Sequence, residues 1–263
     1  MPILTFHKNS ITNHICTLNL KELYKDSSER IQFENRWEDF IKSDSHNNII
    51  FKRENNIIIY PHKVWFPIED KSRIPLMIIA GNPAPHSVFK DIYYSYEGKG
   101  TEHRFWKVLR ELNYFNLNGL DANLKDKFIN LDYESSFRVY LEAVITFPTP
   151  ASEAKWNGVA GMKKLFGQKA FEAIYQIEKN RVVENINLFF KNKSGIIIAM
   201  QKDAYNALAD NLYNIKLART GELTSNINGI KVIGTPPTRW LHTNIMKQVL
   251  RDIKSEQLSD FSN

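Results

Sequence analysis

The chain predicts an α/β fold, a three-layer sandwich with a mainly parallel central sheet and helices on both faces. Three observations carry that expectation. Strand-like apolar runs recur at 76–80, 137–147 and 195–200, with a shorter one at 230–233. Segments of helical periodicity separate them, and strands that alternate with helices pair in parallel through crossovers. With 263 residues, 43% of them hydrophobic, the chain is long enough to bury a full core as one domain with elaborations.

The elements follow in order. Residues 28–43 place Ile31, Phe33, Trp37, Phe40 and Ile41 at helical spacing after Ser27-Ser28, which reads as a capped amphipathic helix. Ile49-Ile50-Phe51 and Ile57-Ile58-Ile59-Tyr60, parted by a polar stretch, read as a hairpin. Residues 1–56 are thus a helical and hairpin elaboration on a core spanning 57–254. After the strand at 76–80 comes a helix at 104–112 with an apolar stripe of Phe105, Trp106, Val108, Leu109 and Leu112. The strand at 137–147 ends in Pro148-Thr149-Pro150, and helices at about 152–165 and 169–191 follow. A strand at 195–200, a helix at 203–212 and a strand at 230–233 lead to a final helix bearing Leu241, Ile245, Val249 and Ile253; residues 255–263 read as a tail.

Composition narrows the class. A single cysteine, Cys16, excludes an internal disulfide framework and a thiolate metal cluster, so a reducing, cytoplasmic setting is expected. No stretch approaches the roughly 18 apolar residues of a membrane span, and the first residues lack the order of a signal peptide. Thirty-five basic against twenty-nine acidic residues give a net charge of +6, which favours a polyanionic partner when a motif supports it. Neither a phosphate-loop nor a dinucleotide glycine pattern occurs, nor a nucleophile elbow around Ser87, nor a His-x-x-x-His pair.

Chemistry concentrates where the run Leu76-Met77-Ile78-Ile79-Ala80 breaks into Gly81-Asn82-Pro83-Ala84-Pro85-His86-Ser87. Taken alone, Asn-Pro after a strand is a turn signal. It also puts a carboxamide at the carboxyl edge of a sheet, where open α/β folds bind ligands.

Four segments in order widen the reading. Ala80-Gly81-Asn82-Pro83-Ala84-Pro85, Arg104-Phe105-Trp106-Lys107-Val108, Gln201-Lys202-Asp203-Ala204-Tyr205 and Thr235-Pro236-Pro237-Thr238-Arg239 resemble the motifs of the uracil-DNA glycosylase superfamily, in the form of its mismatch-specific and single-strand-selective monofunctional branches. The resemblance implies N-glycosidic hydrolysis of a base flipped out of DNA, without cofactor or metal, by a monomer that engages DNA and no membrane. Asn82 would hold the attacking water and Thr235 would stand beside the leaving base. Gly81, Pro83, Ala84, Thr146 and a stacking tyrosine, Tyr94 or Tyr96, would form the base pocket. His86, Ser87, Pro237, Thr238 and Arg239 would contact DNA, Arg239 either filling the vacated space or meeting a phosphate. The chain departs from the family at Thr235, where relatives carry His or Asn, at Ala80 and Ala84, which replace glycines, and at 142–147, where relatives place an Asn. These departures separate the reaction from uracil in particular. They also leave open a homologue of the same fold that binds DNA with impaired catalysis.

Overall fold

Residues 2–8, 13–95, 102–112, 115–116, 123–151, 155–191 and 194–260 are described in the computed structural model. The chain divides into two units, one comprising Met1–Val64, Asn82–Glu97 and Ala143–Val183, the other Trp65–Gly81, Gly98–Glu142 and Glu184–Asn263. In chain order the elements are β1 (Leu4–Lys8), β2 (Asn13–Asn19), α1 (Leu20–Leu23), α2 (Ser27–Lys42), α3 (Asn47–Ile50), β3 (Lys52–Glu54), β4 (Ile57–Lys63) and β5 (Ile74–Ala80). Then come α4 (Pro85–Lys90), α5 (Arg104–Glu111), α6 (Leu124–Asn130), β6 (Phe137–Ala143), α7 (Gly158–Phe166) and α8 (Gln168–Phe190). The chain finishes with β7 (Ile196–Met200), α9 (Gln201–Leu208), α10 (Ile215–Thr220), β8 (Thr224–Ile227), β9 (Ile230–Thr235) and α11 (Thr243–Asp260).

The first unit carries an antiparallel sheet of order β1-β2-β4-β3. The expected helix and hairpin are part of it, but β1 and β2 extend it well beyond a hairpin. Burial along β4 alternates with period two, Ile58, Tyr60 and His62 turning inward. Pro61 is tolerated in this inner strand because β3 pairs only as far as Ile59. The hairpin is displaced from its expected place: Ile49 and Ile50 lie in a helical turn, and the strands are β3 and β4. The turn forms because Asp44 accepts from the backbone N–H of His46 while buried Asn47 donates to Phe40 O at 2.8 Å. Asn55, at φ 53°, then supplies the left-handed residue of the hairpin turn. In α2, capped by Asp26, the residues Phe33, Trp37 and Phe40 are buried among Phe51, Phe147, Trp156 and Phe166. Ile31, read as part of that stripe, is 60% exposed.

The second unit is α/β, with a mainly parallel sheet of order β6-β5-β7-β9-β8. The register places Ile78 beside Ile198 and Ile198 beside Ile233 in parallel strands. β5 and β7 are apolar on both faces, as sheets covered on both sides require. β8 pairs antiparallel with β9 through Asn228-Gly229, both at positive φ, a two-residue turn whose twist suits a hairpin. On edge strand β6 the buried Arg138 donates through one nitrogen to Phe189 O at 2.7 Å, and the buried Glu142 accepts from Tyr140 and from Asn185.

Several boundaries moved. The strand expected over 137–147 stops at Ala143, because side chains of α8 take the next backbone groups. Arg181 donates to the carbonyls of Ala143 and Val144, and Glu178 accepts from Thr146 N. The helix expected at 152–165 begins at Gly158, with 152–154 outside the described residues. The helix expected at 203–212 runs from Gln201 to Leu208, after which Asn206 and Asn211 tie the chain to Tyr213 and Tyr205. The final helix continues to Asp260, through residues read as tail. No helix among the described residues is long and apolar enough to cross a membrane.

Candidate functional site

Asn82 follows β5 by two residues, in the extended segment that ends where Pro85 opens α4. Its side chain is half-buried and held from one side. Nδ2 donates to Thr149 Oγ1 at 2.6 Å and approaches Phe147 O at 3.4 Å, while Thr149 N donates to Pro83 O at 3.1 Å. A carbonyl can only accept, so Phe147 fixes which end of the carboxamide is nitrogen. Oδ1 therefore turns the other way, toward Gly158. Gly158 has φ +59°, a conformation that a side chain would strain. A carboxamide so pinned presents an acceptor of fixed direction and cannot remove a proton. Thr149 went unassigned in the sequence; its signal was the Pro148-Thr149-Pro150 stop.

The neighbouring assignments fare differently. Pro83 and Ala84 are half-buried beside Asn82, within the same segment. His86 and Ser87, expected to meet DNA, are instead buried on the inner side of α4. His86 Nε2 donates to Ser95 O at 3.0 Å, and the hydroxyls of Ser87 and Ser95 lie 3.1 Å apart, so both polar groups serve to fold 93–95 back onto the helix. Tyr94 is at φ 52° and its phenol is enclosed, with burial pushing its pKa far up. Tyr96 lies outside the described residues. Thr146, expected on a strand facing the base, lies beyond the strand's end, fully buried. Its hydroxyl donates to Glu178 and meets Tyr60 OH at 3.0 Å, placing it in the interior of the first unit.

In the second unit, β5 stands between β6 and β7, so the order of connection reverses between β5 and β7. Open α/β sheets bind ligands outside the carboxyl ends of such a pair. Gly81 lies there with Gln201 and Asp203: a methyl group on Gly81 would sit 3.2 Å from Gln201 Nε2 and 3.5 Å from Asp203 Cβ. Gln201 is held at φ 66°. The left-handed region costs an ordinary residue about 1–2 kcal/mol. Gln201→Gly is accordingly expected to raise unfolding free energy by about 1 kcal/mol in urea titrations; a loss of stability would mean that the Gln201 side chain outweighs the backbone strain.

Thr235 ends β9 and is fully buried. Its hydroxyl points at neighbouring β7, 3.1 Å from Met200 Sδ and 3.5 Å from Ala199 O, and its carbonyl accepts from Tyr213 OH. The expected donor beside a leaving base is therefore turned into the sheet, because the residue closes the β7–β9 ladder. Burial pushes the Tyr213 phenol up to about 12. Pro237 and Thr238 are half-exposed and Arg239 is exposed, its guanidinium 4.4 Å from the ring of Trp240. Among the described residues no group of three His, Cys, Asp or Glu is arranged to hold a metal ion. In comparisons with known proteins, no family model matches the chain and no curated protein matches it.

Proposed function

We propose that the protein hydrolyses the N-glycosidic bond of a uracil, mismatched or modified base turned out of DNA, leaving an abasic site. The observation that carries this reading is the Asn82 carboxamide, pinned by Thr149 and Phe147 directly after a buried parallel strand. Oδ1 accepts a hydrogen bond from water and aims its lone pair at the sugar carbon. The new C–O bond forms as the C–N bond breaks, the bonding electrons leave with the base, and the proton shed by the attacking water passes through solvent to the departed base anion. Since Asn82 takes no proton, the departing base must be stable as an anion, which favours an acidic leaving nitrogen. The fold that accompanies this reading is the three-layer sandwich, acting as a cytoplasmic monomer on DNA, in keeping with the resemblance to the uracil-DNA glycosylase superfamily.

A second reading, a DNA-binding homologue with impaired catalysis, draws on one observation: the Thr235 hydroxyl is enclosed in the sheet. A substrate panel separates the two. Oligonucleotides carrying uracil, mismatched thymine, hypoxanthine or substituted pyrimidines are incubated with the protein and heated in alkali, and strand scission is expected in a subset. A panel left intact while the protein still binds DNA selects the second reading.

The clamp on Asn82 yields its own expectation. Thr149→Val removes one acceptor from Nδ2 at nearly constant volume. Losing one hydrogen bond of about 1–1.5 kcal/mol from a positioning group slows single-turnover excision about tenfold with DNA affinity unchanged. An unaltered rate would show that Phe147 alone orients the carboxamide.

A further inference from the structure

We propose that the groove between α5 and α11 in the second unit is a track for the phosphate backbone of duplex DNA. This rests on the reading of the substrate as DNA and adds to the loop contacts at Pro237, Thr238 and Arg239 a surface formed by α5 and α11. α5 buries Phe105, Trp106, Val108 and Leu109, which leaves Arg104, Lys107 and Glu111 on one outer stripe. α11 faces it with Asn244, Lys247 and Arg251, again three and four residues apart. Two open depressions of about 340 and 400 Å³ lie along this line and share Asn244.

The charges are ordered and predominantly positive. Arg104 donates to Leu241 O at 2.5 Å and lies 3.0 Å from His242 Nδ1, so its guanidinium is fixed at the head of the groove. Glu111 accepts from Thr243 and stands 3.9 Å from Lys107, whose side chain is 61% exposed. Among the described residues, four cations thus line the groove against one carboxylate. Beyond Leu241 the line continues to Trp240, 38% exposed, with the guanidinia of Arg219 and Arg239 each 4.4 Å from its ring. Stacking holds those guanidinia in place before any ligand arrives.

The arrangement fits a repeating polyanion better than a small one. The cations do not converge on a point or enclose a pocket; they are strung along the two helices, from Arg104 to Lys107 on α5 and from Lys247 to Arg251 on α11, about 4.5 and 6 Å at 1.5 Å per residue. Each of these lengths is between one and two steps of about 3.4 Å between successive phosphates of one strand.

The test is duplex binding by fluorescence anisotropy over a range of salt, with a short labelled duplex lacking any damaged base. The triple variant Lys107→Gln, Lys247→Gln, Arg251→Gln removes three contacts, so the slope of log K against log salt is expected to fall by about 2.7 and affinity at 0.1 M salt at least tenfold. The control triple Lys21→Gln, Lys42→Gln, Lys52→Gln makes the same change of net charge on the first unit and is expected to keep the wild-type slope. All six positions are exposed, and an unchanged far-ultraviolet circular dichroism spectrum verifies folding. A wild-type slope in the groove variant, or equal losses in both triples, overturns the proposal. Absence of duplex binding by the wild type, or preference for phosphatidylserine vesicles, overturns it together with the DNA reading. Excision of a base with an undiminished slope in the groove variant removes the track and leaves the glycosylase standing; a diminished slope without any excision does the reverse.

Discussion

Asn82→Ala is expected to lower the single-turnover rate of base excision by a factor on the order of 10²–10³ while leaving the dissociation constant for DNA nearly unchanged. The argument is geometric. The side chain is held by Thr149 and Phe147, so its oxygen has one direction. Alanine keeps the backbone path into α4 and deletes the carboxamide, its acceptor oxygen included. Water then reaches the sugar from a range of directions, and the advantage of a prepaid orientation is lost. Fixed orientation acts on the rate rather than on the bound ground state, so the change belongs in the chemical step. Rates of wild type and Asn82→Ala measured with enzyme in excess over the preferred oligonucleotide decide the matter; equal rates would remove Asn82 from the mechanism.

Much of the second unit was legible because its signals are strong and local. Continuous isoleucine-rich runs with helical stretches between them have few other solutions, and β5, β7 and β9 appear where those runs stand. The first unit was harder to read. Its strand β2 draws its partner from β4, 38 to 50 residues away, β1 pairs in turn with β2, and half-buried alternation such as that of His14 to Leu18 gives a weak signal without knowledge of the partner. The hairpin from β8 to β9 carries its sequence signal in Asn228-Gly229, a weak one beside the stronger apolar run that follows it. At the candidate site the Asn-Pro loop was visible from composition alone. The burial of His86, Ser87, Thr146 and Thr235 was not, since a polar residue reads as exposed until its partners are known. Each of the four has its partner on another element or a later turn, in Ser95, Glu178 or Met200.

The largest expected loss of stability lies in the first unit, at Glu178. Its fully buried carboxylate accepts from Thr146 N at 2.8 Å and from the Thr146 hydroxyl, and pairs with Arg181 Nε at 2.9 Å. Arg181 in turn holds the carbonyls of Ala143 and Val144, and Tyr60 closes the network through Thr146. Burial, and then the adjacent Glu178 carboxylate, pushes the Cys16 thiol far up, so it stays protonated beside them. Glu178→Ala strands a guanidinium in the interior, and breaking a buried pair from one side costs about 3–5 kcal/mol. The double variant Glu178→Ala, Arg181→Met removes both charges and is expected to be less destabilised than the sum of the two single changes. Urea unfolding of the three variants measures both quantities. A loss below about 1 kcal/mol in Glu178→Ala would mean that solvent already reaches the pair.

The interleaving of the two units also bears on how the protein is made. The chain changes unit after Val64, Gly81, Glu97, Glu142 and Val183, so the last segment of the first unit emerges from the ribosome before β7 and β9 exist. From Ala80, the end of β5, to Met200, the end of β7, the chain grows by 120 residues, about 6–24 s of synthesis at 5–20 residues per second. For that interval β5 has no β7 beside it, and an edge of Ile78 and Ile79 is open to other chains. The nascent protein therefore passes through a stage in which the strand that leads into Asn82 is not yet covered by its own sheet.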